Sequence, residues 1–112
     1  MSGEEQFHAV VQPTQKGSVI VLSGTVNRAA KEALEVAYEE ALKIEGLILL
    51  DFTNVEYINS TGIAVIVGVL AMARAVDRDI GAFGLTEHYK EVFEITRLSD
   101  FMHIYEDATA GN

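Results

Sequence analysis

Two adjacent alcohols, Ser60 and Thr61, stand between Asn59 and Gly62 at the mouth of an apolar stretch, where side chains can do chemistry. Two kinds are open to them. A hydroxyl at a helix start can cap it by accepting a bond from a free N–H of the first turn, a stabilisation of about 1 kcal/mol. It can also carry a phosphoryl group, because those free N–H groups and the helix dipole favour an anion. Phosphorylation adds a charge of roughly −1.5 to −2. A partner packed on the neighbouring apolar surface would have to bury it, and an unpaired interfacial charge costs on the order of 2–5 kcal/mol. Each 1.4 kcal/mol is about tenfold in affinity, so the fold would persist while the complex dissociates. Spacing alone leaves cap and switch both open.

Other chemistries find less support. The acid nearest Ser60 in sequence is Glu56 and the nearest imidazole is His88, so no base for a serine nucleophile is evident. His8, His88 and His103 are scattered without ligand spacing, which points to no metal. Neither GxxxxGK[ST] nor GxGxxG occurs, so no loop cradles a nucleotide and no cofactor is expected. Asp51 ends a strand-like run, as the phosphoacceptor of a receiver domain would. The early strands, however, end in Gln12-Pro13 and Ser23-Gly24, without the acidic pair that holds Mg²⁺, and no Lys follows the last. Asp51 is therefore expected to order its own backbone by accepting N–H bonds. The chain is not expected to be an enzyme.

The stretch behind the alcohols is unusual. From Ile63 to Val76 only Gly68 and Arg74 interrupt the apolar residues, so no polar face recurs at a period of 3.6. Such a helix is expected to be covered on more than one side, by its own sheet and by a partner. The apolar core of the stretch, 62–73, falls short of the 18 or more residues of a membrane span. The start, MSGEEQF, has no basic flank or apolar run of a signal peptide. With 17 acidic against 8 basic residues the formal net charge is −9, which argues against nucleic acid and against an anionic membrane. Cysteine is absent, so disulfides and thiolate chemistry are excluded. A cytoplasmic protein is expected.

The length of 112 residues suits one domain, with an ordered core expected over about 7–108. Residues 7–12 and 18–23 read as a hairpin around Pro13, and Ser23-Gly24 is expected to end its second strand. Asn27 is placed to cap a helix reaching about Ile44, with Leu34, Ala37, Tyr38 and Ala41 on its apolar side. Leu47 to Phe52 is a strand buried on both faces. A helix over 60–77, a strand over 80–85, a helix over 87–96 and a short strand over 101–105 follow, and 107–112 reads as a fraying tail. Strands joined through helices pair in parallel with right-handed crossovers. The fold class is α/β: a mixed, mostly parallel sheet with an N-terminal antiparallel hairpin and helices covering it.

The stretch DFTNVEYINSTGIAVIVGVLAMARAV, behind the hairpin and GTVN, resembles the STAS domain of bacterial anti-sigma factor antagonists. The family pattern is a strand ending in Asp, a spacer, then (D/N)-S-(S/T/A)-G opening an apolar helix. Here these are Asp51, Val55 to Ile58, and Asn59-Ser60-Thr61-Gly62. The closing L-(S/T)-x-(F/L)-x-x-(I/F) pattern is Leu98, Ser99, Phe101 and Ile104. The resemblance implies a module that binds a serine-kinase anti-sigma factor when unphosphorylated. The partner would phosphorylate Ser60 with its own ATP, releasing the module, and a PP2C-type phosphatase would reset it. It also implies a partner-binding patch of Asn27, Asn59, Ser60, Thr61 and Gly62. Asn27 and Asn59 replace the family's usual Asp, keeping shape and removing charge. That departure motivates an alternative, a constitutive scaffold module that is never modified at Ser60.

Overall fold

The computed structural model describes residues 6–112. Strands β1 (His8–Pro13) and β2 (Gly17–Val26) form the hairpin; then come α1 (Lys31–Leu42), β3 (Leu47–Ile58), α2 (Ser60–Ala75), β4 (Ile80–Phe83), α3 (Glu87–Ile95) and β5 (His103–Ile104). Short 3₁₀ turns lie at Arg28–Ala30, Leu98–Asp100 and Ala108–Gly111. The sheet order is β1-β2-β3-β4-β5, with β1 antiparallel to β2 and every other pair parallel. The α/β class and mixed sheet are those expected.

Register explains which residues form the core. Val11, Ile20, Leu50 and Ala82 lie in one row across the sheet, and Val10, Val21, Asp51 and Phe83 in the next. Successive side chains on a strand point to opposite faces, so the first row faces one side and the second the other. All three helices pack on the first. Leu34, Ala37, Tyr38 and Ala41 of α1, and Val65, Ile66, Val69 and Ala73 of α2, join Ile20, Leu22, Ile48 and Leu50 in one cluster. Phe93 of α3 meets Phe52 edge-on, ring centres 5.6 Å apart.

The second face of the sheet is covered differently. Leu49 is 1% exposed, yet Gly111 and Thr14 close over it instead of a helix. The residues expected to fray, 107–112, make a 3₁₀ turn whose Gly111 is buried. Asp107 caps that turn by accepting from the Thr109 N–H, and the Gly111 carbonyl accepts from the Lys16 N–H at 3.0 Å. The Thr109 hydroxyl and amide hold the Asp107 carboxyl below its ordinary range. Small residues with no periodicity gave no sign of this. Towards β1 the same face is open, with Val10 53% exposed.

Several boundaries also shift. β2 passes through Ser23-Gly24 to Val26, and β3 passes Phe52 to Ile58, because two register shifts let Ser23–Val26 pair with Asn54–Ile58. The spacer is therefore strand. Asn27 caps a 3₁₀ turn before α1 begins at Lys31. β4 stops at Phe83 since Gly84 takes φ +84°, and α2 stops at Ala75 just before the left-handed Asp77. α3 and β5 are each shorter than expected. Among the described residues no helix is long and apolar enough to cross a membrane. The expectation about the first residues, MSGEE, lies outside the described residues.

Candidate functional site

Extended β2 and β3 bring the two Asn-containing turns together at the C-terminal end of the sheet. Val26 pairs with Ile58, and the Asn59 N–H then donates to the Val26 carbonyl at 3.2 Å. Neither alcohol caps α2. Asn59 does: its Oδ1 accepts from the Gly62 N–H at 2.8 Å and from the Thr61 hydroxyl at 2.7 Å. An extended residue with a short side-chain oxygen meets the geometric needs of an N-cap. Asn27 does the same for its 3₁₀ turn, accepting from the Ala29 N–H at 2.9 Å.

The four residues of the motif have separate positions. Thr61, though exposed, is engaged on both sides: its Oγ1 donates to Asn59 and accepts from the Arg28 N–H at 3.1 Å. That contact ties the 3₁₀ turn to α2. Gly62 is buried so tightly that a Cβ would collide with the Val26 carbonyl. Ser60 takes none of these bonds and is exposed at the first position of the helix. From Ser60 an exposed row of Ala64, Val67 and Ala71 continues down α2 at helical spacing, with Val67 46% exposed. α2 is thus covered on one side only, by its own domain. Within the mouth the structure brings together Asn27, Asn59, Ser60, Thr61 and Gly62.

Two neighbours had no sequence signal. Arg28 enters through a backbone bond across 33 positions. Tyr89 of α3, half-buried against the core, accepts the Ile58 N–H on its hydroxyl at 3.0 Å, anchoring the last residue of β3. Asp51 accepts the Thr53 N–H at 2.9 Å, as expected of it, though within a strand. His8, His88 and His103 lie on β1, α3 and β5. No group of three potential ligands for a metal occurs among the described residues.

The family profile described as "Mlab, STAS domain" matches residues 9–104. An anti-sigma-B factor antagonist of Listeria monocytogenes is 41% identical over 75 residues, 66% of this chain and 62% of the relative. One of Staphylococcus aureus (strain NCTC 8325) is 36% identical over 59 residues, 53% of this chain and 55% of the relative. The matched stretches thus span less than two thirds of those relatives' length, 62% and 55%. A crystal structure of an anti-sigma factor antagonist from Mycobacterium paratuberculosis superposes with a TM-score of 0.76 at 16% identity, covering 99% of this chain and 95% of that one. The anti-sigma factor antagonist SpoIIAA, solved unphosphorylated, gives 0.69 at 20% identity, covering 94% and 92%. These two likenesses establish the fold.

Proposed function

This chain belongs to the STAS domain family, and on that premise we propose that it is an anti-sigma factor antagonist switched by phosphate on Ser60. One observation carries the proposal: Asn59 does the capping, which leaves the Ser60 hydroxyl exposed and free of any structural duty. A phosphoryl group there replaces no bond that the fold uses. The relatives' names supply the partner class, an anti-sigma factor. The apolar row below Ser60 supplies a surface for it.

The proposed partner is a serine kinase that holds ATP. The Ser60 oxygen attacks the γ-phosphorus, the bond to the ADP oxygen breaks, and the hydroxyl proton passes to a base on the kinase. Asn59 and Thr61 are not bases at neutral pH, so the mouth supplies none. A phosphatase of the PP2C type then returns the alcohol by hydrolysis. The unit that acts is the single STAS domain, in the cytoplasm.

Incubation with candidate kinase and ATP, followed by intact-mass analysis, tests the proposal. One phosphate on the wild type and none on Ser60→Ala is expected. Equal labelling of both refutes Ser60 as acceptor. The lack of carboxylates at positions 27 and 59, where Asn stands, favours a second reading, a scaffold that assembles without modification. Light scattering separates the two: a large assembly indifferent to kinase and ATP supports the scaffold.

A further inference from the structure

Resting on the assignment of Ser60 as phosphoacceptor, we propose that Arg28 is the internal partner of the phosphoryl group, clamping it across the mouth against the 3₁₀ turn. The Arg28 N–H donates to Thr61 Oγ1 at 3.1 Å, which pins the Arg28 backbone beside the residue that follows Ser60. Neighbouring Cα atoms are about 3.8 Å apart, so the long arginine stem begins within side-chain reach of the Ser60 oxygen. Arg28 is exposed and enters none of the ion pairs among the described residues, which join Lys31 to Glu35, Lys90 to Glu87 and Glu106, and Arg97 to Asp100.

The rest of the mouth is uncharged. Asn27 Oδ1, Asn59 Oδ1 and Thr61 Oγ1 are each committed to hydrogen bonds. A chain with a formal net charge of −9 therefore presents a cation, and no carboxylate, among the residues that frame Ser60. A guanidinium fork matches phosphate oxygens in a bidentate pair, which is stronger and more directional than a lysine contact. The added charge would then be partly neutralised within the chain and held in one orientation. Modification would change two features of the surface together, adding an anion and withdrawing a cation that the unmodified mouth offers to a partner.

The test places phosphoserine at position 60 of the full chain during translation, so that no kinase is needed. The second ionisation of the phosphate is followed by ³¹P NMR in the otherwise wild-type chain, in Arg28→Gln and in Arg28→Lys. A nearby cation favours the dianion, so the wild-type midpoint should lie below that of Arg28→Gln by about half a pH unit, roughly threefold in proton affinity. Arg28→Lys should fall between them. Other charged groups on the converging elements, Lys31, Glu32, Glu56, Glu87, His88 and Lys90, are common to all three proteins, so the difference isolates Arg28. Coincident midpoints overturn the proposal. Failure of kinase labelling at Ser60 would leave this measurement intact, and coincident midpoints would leave kinase labelling intact, so the two ideas fail separately.

Discussion

Along one side of α2, Gly62, Val65, Ile66, Val69 and Ala73 are pressed into the sheet, with Ile66 fully buried and Gly62 against the Val26 carbonyl. Along the other, Ser60, Ala64, Val67, Gly68 and Ala71 are exposed. Both sides are apolar in composition, so hydrophobicity does not separate them. Size and packing do. The first side holds the fold together, while the second carries small residues that let another surface approach closely. A helix can therefore combine a rigid base with an adaptable exterior when only one face is committed to its own core.

The largest test of that contrast is Gly62→Val, whose side chain must displace the backbone of β2. Unfolding in urea should show a loss of more than about 3 kcal/mol, in the range of severe core disruption. Ile66→Ala comes next, with about 2–5 kcal/mol expected from the cavity and the lost transfer energy. Val67→Ala, one residue further on the open side, should shift stability by no more than about 0.5 kcal/mol. Equal losses at 66 and 67 would break the comparison. Asn59→Ala removes the cap and should cost about 1 kcal/mol.

Gly68→Ala should act in the opposite direction. A Cβ there meets nothing within 4 Å, so thermal unfolding should show a gain of roughly 0.5–1 kcal/mol from helix propensity. A loss would mean that the open face is already engaged, for instance by a second copy. The smallest effect is expected for Ser60→Ala, within about 0.5 kcal/mol of wild type in the same urea titration. A larger loss would show that the alcohol has a structural role and would weaken its place as a switch.

Much of this was legible because it is local. The β-branched apolar run in 18–22, the run Leu47 to Phe52 and the Asn-Ser-Thr-Gly opening of α2 depend on residues close in the chain. What escaped depends on distant ones. β3 continues to Ile58 only because bulges in the β2–β3 pairing keep partners in reach. Cap function passed from the alcohols to Asn59 because the extended backbone of that residue, φ −98° and ψ −178°, aims its amide into the first turn. Arg28 joined the mouth through a main-chain amide, an atom that every residue but proline carries and that no composition signals. The C-terminal turn over Leu49 is built from Ala, Thr and Gly, which have no pattern of their own.

That turn has a practical side. β2 and β3 start at Gly17 and Leu47 and run in parallel to Val26 and Ile58, a span of about 30 Å at roughly 3.3 Å per residue. The link from Lys16 to Gly111 holds the last residues at the starting pole of these strands, while Ser60 follows their finishing pole. A fluorophore or affinity handle joined behind Asn112 would thus sit a strand's length from the alcohol, able to report on complexes formed at Ser60 without obstructing them.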